Sequence, residues 1–438
     1  MNKYIFTSLL SLFVIVGFIS FINPHTASAQ PLEWEEFDLS PNEYNSIAYG
    51  NGVYVAVGSG TPMYSSDGKN WNMSILPNAA SLSSVVYGDG KFVAVGRTGS
   101  PLMQNMNRII YLSSDGLSWD IASSIPDKLN AQSNLLSIFY MYDNLNAKDL
   151  FVAFGQDYST GAGSTSLPYI VYSSDGDAWL RSTLPIGSDG SPSDAVVGYN
   201  ENGELVLLSF VYGYGIGAPS YYIMSIDGGA TWVYPDSLTG LDDFQGLSMS
   251  YLNGKFFYVG HSYDDEEGKD LFSVRSSMNG LDWDKGSIEF PEEFLSGSRE
   301  TSAYGDNTYL FFLSPSLGYT PPLYSPNGET WEFFTPSFDK SSYVSPIQLI
   351  YAEDSFMLLG RNESGGYVIA FPKSLNDSSE IPSSKSSSIF GTRFCTAGVT
   401  TFCRPQNGFT NNNPLVNIYT ELLGLYQQLL NTIQNENS

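Results

Sequence analysis

Apolar and polar residues alternate along most of the chain in short runs with a period of two, and the runs come in pairs. Seven such pairs read SIAYGNGVYVAVG from Ser46, SVVYGDGKFVAVG from Ser84, SIFYMYDNLNAKDLFVAFG from Ser137, AVVGYNENGELVLLS from Ala195, LSMSYLNGKFFYVG from Leu247, TSAYGDNTYLFFLS from Thr301 and IQLIYAEDSFMLLG from Ile347. A period of two in β-branched and aromatic residues predicts strands, and Asn-Gly, Asp-Gly or a similar pair between two runs predicts a tight hairpin. The alternation therefore predicts a succession of antiparallel hairpins and an all-β fold.

A second unit follows each of the first six hairpins. It reads SSDGKNW (Ser65 to Trp71), SSDGLSW (Ser113 to Trp119), SSDGDAW (Ser173 to Trp179), SIDGGATW (Ser225 to Trp232), SMNGLDW (Ser277 to Trp283) and SPNGETW (Ser325 to Trp331). A repeat roughly 50 residues long, built of short strands, predicts a propeller or array. The seventh hairpin is followed by GYVIAFPKS (Gly366 to Ser374), with no such phrase after it. The seventh tryptophan, Trp34, instead lies in LEWEEFDLSP near the N-terminus, which matches the tails that follow the other tryptophans. This predicts a seven-bladed β-propeller over residues 30–373, closed when the N-terminal strand supplies the outer strand of the last blade.

The phrase resembles the Asp-box, or BNR repeat, of sialidase-like and sortilin-like propellers, and the chain also resembles the photosystem II assembly-factor propellers that share it. The resemblance implies that each phrase forms the turn between the third and outer strands of a blade. The residue types fit a structural turn: Ser and Asp can bond turn amides, Gly takes positive φ and Trp covers a neighbouring sheet. Asp67, Asp115, Asp175 and Asp227 are replaced in the fifth and sixth copies by Asn279 and Asn327, so hydrogen bonding rather than charge is what the position needs. Asp67 to Asn327 and the paired Trp71, Trp119, Trp179, Trp232, Trp283 and Trp331 are thus expected to hold blades together and bind nothing.

The ends of the chain change this picture. Lys3, the apolar run Ile5 to Ile22 and Ala27-Ser28-Ala29 predict a secretory signal peptide over residues 1–29, with an uncleaved anchor as the rival reading. The expected location is secreted or at the cell envelope. Residues 374–412 form a Ser/Asn-rich linker holding Cys395 and Cys403, the only cysteines. In an exported chain these are expected to close a small disulfide loop. Residues 413–438 carry an apolar stripe through Leu415, Ile418, Leu422, Leu425 and Leu429, predicting an amphipathic helix that self-associates, attaches to an envelope component or packs on the propeller. The formal charge of −26 excludes nucleic acid as a partner, and nothing in the sequence predicts a metal or cofactor.

Loops between second and third strands vary in length and are rich in Tyr, Gly and Ser, so this face is the expected ligand surface. Its candidate binding residues are Arg97, Gln156, Tyr158, Tyr214, His261, Tyr263 and Arg361, with Ser59 at the equivalent first-repeat position. The expected function is non-catalytic recognition of a glycan or protein. The alternative is a glycoside hydrolase, sialidase-like or with two carboxylates across the axial opening. No residue is singled out as catalytic, because the arginines are not arranged as the sialidase resemblance requires and acids are too many to choose among.

Overall fold

The structure, a computed structural model, describes residues 33–39, 42–99, 106–126, 132–158, 166–185, 189–213, 220–241, 244–264, 269–284, 297–315, 321–373, 394–398 and 400–404. The architecture is all-β and propeller-like, and among the described residues there is no helix. The expected signal peptide, the loop residue Tyr214 and the helical tail lie outside the described residues.

Each hairpin read from the alternation is present, and each gains a third strand. The first sheet comprises Glu43–Gly50, Val53–Ser59, Met63–Ser65 and Asn72–Met73, and the second Ser81–Gly88, Lys91–Thr98, Asn107–Ser113 and Asp120–Ile121. The third is Gln132–Asp143, Lys148–Tyr158, Ser166–Ser173 and Leu180–Arg181. In the fourth (Ser191–Tyr199, Leu205–Tyr212, Tyr221–Ser225) and fifth (Phe244–Leu252, Lys255–Asp264, Lys269–Ser277), the outer strand shrinks to single bridges, Met224 to Val233 and Ser276 to Asp284. The sixth is Gly297–Gly305, Thr308–Pro315, Leu323–Ser325 and Glu332–Phe333. The seventh joins Val344–Ala352, Ser355–Asn362 and Tyr367–Pro372 to the N-terminal strand Glu33–Asp38, which pairs antiparallel with Tyr367–Pro372 in the register Trp34 to Pro372 and Asp38 to Val368.

Packing between sheets follows from the same repeat. Trp119 lies in the apolar cluster between the first two sheets, Trp179 in that between the second and third, and Trp331 in that between the fifth and sixth. Trp34 fills the corresponding place between the sixth and seventh sheets, with Phe312 edge-on at 5.5 Å. The phrase glycine is required twice over at Gly68. Its φ is +70°, and a Cβ there would meet Met357 Cε at 2.6 Å and Phe371 Cζ at 2.7 Å on the neighbouring sheet.

Among the described residues, polar side chains tie the first strands of neighbouring sheets at five steps. Every first strand carries a bulge, and the tie is made by the first residue after it or, in the sixth sheet, by the third. Ser46 Oγ accepts the Val85 N–H at 3.1 Å, Ser84 Oγ accepts that of Ile138 at 3.4 Å, and Asp194 Oδ2 accepts that of Met249 at 2.5 Å. Thr301 Oγ1 accepts the Leu349 N–H at 2.6 Å, and Gln348 Oε1 accepts the Ile47 N–H at 2.7 Å, so the seventh sheet is bonded to the first. The first strands are edge strands, and these bonds satisfy amides that would otherwise be left unpaired there.

Candidate functional site

An antiparallel meander places its first-to-second and third-to-outer turns at one end and its second-to-third loops at the other. At the turn end the phrases consume their own polar groups. Asp67 Oδ1 accepts the Ser65 hydroxyl at 2.9 Å and the backbone N–H of Lys69 and Asn70 at 2.9 and 2.8 Å. The Gly68 N–H donates to Ser65 Oγ at 2.9 Å, and Trp71 Nε1–H donates to Gly68 O at 2.9 Å. The Asn70 amide and side chain hold the Asp67 carboxyl well below the usual carboxylate range. Asn279 Oδ1 accepts the Leu281 and Asp282 N–H, both at 2.8 Å, so the amide does the carboxylate's work. Such turns have little left to offer a ligand.

At the loop end, three of the residues expected to ring the axial mouth, Arg97, Gln156 and Arg361, are committed to their own sheets. Arg97 Nη1 donates to Met106 Sδ at 3.2 Å, and Gln156 Oε1 accepts the Ser166 hydroxyl at 2.7 Å. Arg361 stacks 4.7 Å from the Tyr367 ring and donates to the Tyr367 hydroxyl. Ser59 Oγ lies 3.4 Å from Ser81 Oγ. Tyr158 and His261 are half-buried, Tyr158 facing Gln132 and Ser166 in the strand register and His261 facing Gln245 and Phe272. Tyr263 lies opposite Asp270, and only its backbone is described.

Two polar clusters at this end or on the first strands were not singled out from the sequence. In one, Arg108 Nη1 and Asp157 Oδ1 pair at 2.9 Å with side chains 5% and 0% exposed, and Arg108 Nη2 donates to Pro126 O at 2.6 Å. Arg108 and Arg181 lie 3.9 and 4.7 Å from the Tyr169 ring, and Arg181 Nη1 is 3.8 Å from Asp157 Oδ2. Burial pulls the Arg108 guanidinium below its ordinary value, while Tyr169 and Asp157 hold it up. The signal was the acid two residues after Gly155, where the first, second, fifth and seventh repeats carry Gly60, Thr98, Ser262 and Asn362. In the other cluster, Asp194 on the fourth sheet and Glu300 on the sixth are both pushed up by burial, Glu300 to about 7. Its signal was an Asp at the position held by Ser46, Ser84 and Ser137 in the first three repeats.

Two cavities lie beside second-to-third loops, one at the seventh sheet and one at the first. One, of about 290 Å³, is polar and lined by Glu36, Asp38, Lys340, Ser341, Asn362 and Ser364. Glu36 is 1% exposed and its carboxylate accepts the Ser341 hydroxyl at 2.8 Å. The other, of about 430 Å³, runs beside the Gly60–Thr61 turn and is lined by Ile75, Leu76, Pro77 and Ala80. Among the described residues no three His, Cys, Asp or Glu side chains gather as metal ligands. The backbones of Cys395 and Cys403 are register partners in the hairpin Phe394–Gly398 and Thr400–Arg404.

No protein-family profile and no curated protein sequence matches the chain. Among solved structures, it is similar to YCF48 bound to D1 peptide, with 16% identity over 80% of this chain and 97% of that one and a TM-score of 0.47. It is also similar to the α-L-arabinofuranosidase Arb93A of Fusarium graminearum (13% identity, 66% and 92% covered, TM-score 0.40). A third is the GH32 β-fructofuranosidase BmSUC1 of Bombyx mori (12% identity, 85% and 96% covered, TM-score 0.32).

Proposed function

We propose that the chain is an exported seven-bladed propeller, closed by its N-terminal strand, that recognises a glycan or protein through its loop end without catalysing a reaction. The observation that carries this reading is the division between the two ends. The turn end spends its Ser, Asp, Asn and Trp groups on its own backbone, whereas the loops between second and third strands differ in length from sheet to sheet. Both cavities adjoin such loops, at Gly60–Thr61 and at Asn362–Gly366. The polar one offers carboxylate, hydroxyl, amide and ammonium groups, a set suited to sugar hydroxyls. Under the hydrolase alternative, the candidate carboxyls on the first strands are Asp194 and Glu300, whose charge acts on Asp194. Asp194 already accepts two backbone N–H groups, from Met249 and Ala195, which favours a structural role.

A glycan array run beside a hydrolysis screen on the same glycans tests the reading. Binding without turnover is expected, and binding should weaken at least about tenfold in Lys340→Ala if the polar cavity takes part. Turnover of any glycan that Asp194→Asn abolishes overturns the reading in favour of the hydrolase. In this reading Cys395 and Cys403 form a disulfide, and intact-mass measurement before and after reduction checks it.

A further inference from the structure

The hairpin Phe394–Gly398 and Thr400–Arg404 lies among the first strands. With Cα atoms within 8 Å, Phe394–Gly398 runs beside the first strands of the seventh, first, second and third sheets, and Thr400–Arg404 beside those of the third, fourth, fifth and sixth. The two strands pair in the register Phe394 to Arg404 and Gly398 to Thr400, which holds them about 4.8 Å apart. Strands so close together reach the first and fifth sheets, or the seventh and fourth, at the same time only from the space between those sheets. The order is also cyclic: one strand covers the arc from the seventh sheet to the third, and the other continues it from the third to the sixth.

Chain length, charge and strand chemistry agree with that position. The 20 residues from Ser374 to Arg393 span at most about 70 Å. That is enough to bring the chain from Lys373, just past the third strand of the seventh sheet, to the axis. The segment FCTAGVTTFCR, from Phe394 to Arg404, holds one arginine and no acid in a chain of formal charge −26. It therefore brings no like charge against first strands that carry Asp194 and Glu300. A two-stranded hairpin alone in water is marginally stable at best. Set among seven first strands it is supported from all sides, and the inner edge of each sheet gains a cover.

We propose that Phe394–Arg404 is the occupant of the axial channel, a plug that the chain supplies to itself. It covers the first strands of all seven sheets and closes the axis to an outside ligand. Recognition at the loop end is then left to the cavities beside the loops, and a glycan that needs the axis meets the hairpin first. The plug rests on the closed ring proposed above and not on which ligand the loop end takes.

The test is photo-cross-linking of the full chain, in which Phe394→p-benzoylphenylalanine and Phe402→p-benzoylphenylalanine each keep an aromatic ring in place. Mass spectrometry should find the first variant linked to the first strands of the seventh, first, second or third sheets. The second should be linked to those of the third, fourth, fifth or sixth. A zero-length carbodiimide link between Lys69 and Glu35, whose ammonium and carboxylate lie 3.3 Å apart across the first and seventh sheets, reports the ring separately. Thr401→Pro, which breaks the hairpin ladder, should speed amide exchange in the first strands at least about tenfold, while Thr401→Val leaves it unchanged. Hairpin links found only on outer strands, on loops or on a second copy, with the Lys69–Glu35 link present, overturn the plug and leave the ring standing. Loss of the Lys69–Glu35 link together with hairpin links confined to one arc removes the ring and the plug with it. First-strand exchange unchanged in Thr401→Pro also overturns the plug.

Discussion

Trp34 and Trp232 are a matched pair in burial and in ring contacts. They are 0% and 1% exposed, and each meets a phenylalanine edge-on at 5.5 Å, Phe312 for Trp34 and Phe154 for Trp232. They differ at the indole nitrogen. Trp232 Nε1–H donates to Gly229 O at 3.1 Å, whereas Trp34 Nε1 is buried with no hydrogen-bond partner, because no phrase precedes it to supply a carbonyl. Replacing either by phenylalanine removes a similar volume of ring, so the cavity cost is common to both. Trp232→Phe also loses a hydrogen bond and strands a buried carbonyl, at about 1–2 kcal/mol net, while Trp34→Phe removes a donor that had no acceptor. Urea unfolding of the two variants should therefore separate them by about 1–2 kcal/mol, with Trp34→Phe the more stable. Equal losses, or a greater loss in Trp34→Phe, would show that the indole of the N-terminal strand is bonded after all and would refute the account of why the seventh repeat lacks its phrase.

Other variants probe the remaining contacts. Asp157→Ala leaves Arg108 and Arg181 together without their anion and should cost about 3–5 kcal/mol in thermal unfolding, whereas Arg108→Met combined with Asp157→Leu should recover much of it. Gln348→Ala removes the acceptor for the Ile47 amide between the seventh and first sheets; a loss of about 1–2 kcal/mol is expected, with the Ile47 amide exchanging faster in hydrogen-exchange NMR. Asp67→Asn should change the melting free energy by less than about 0.5 kcal/mol, since Asn279 performs the same task, while Asp67→Ala should cost about 1–2 kcal/mol.

The strands and their order were legible because the repeat writes them into local pattern: alternation for the strand, Asn-Gly or Asp-Gly for the turn, and Ser-x-Asp-Gly for the next turn. The role of Trp34 could be read because its tail matches that of Trp71. What could not be read is which polar residues look across to the next sheet. Ser46 and Gln348 do the same work in the first and seventh repeats, yet only the bulge that turns them sideways makes them equivalent, and a bulge has no signature in residue type. Arg97 and Arg361 show the converse. They were placed correctly at strand ends, but the sequence could not show that Met106 and Tyr367 would engage them. Arg108 and Asp157 are separated by a whole repeat, so only packing of the second sheet on the third brings them together.

The fourth phrase contains the natural experiment for how rigid these turns are. SIDGGATW has one residue more than its counterparts, yet Gly229 N–H still donates to Ser225 Oγ at 2.9 Å, Thr231 N–H to Asp227 Oδ1 at 2.9 Å and Trp232 Nε1–H to Gly229 O. The extra residue is absorbed because Gly228 and Gly229 both take positive φ, +81° and +85°. A residue with a Cβ pays about 1–2 kcal/mol in that conformation. Inserting glycine between Asp67 and Gly68 should therefore be tolerated better than inserting alanine or valine, in that order, by at least about 1 kcal/mol at the first step. The same insertions in the loop between Thr98 and Asn107 should show no such ranking, because no phrase geometry has to be rebuilt there. Unfolding free energies for the two series decide the matter: a turn series as flat as the loop series would mean that the phrase is not the rigid clasp its hydrogen bonds imply.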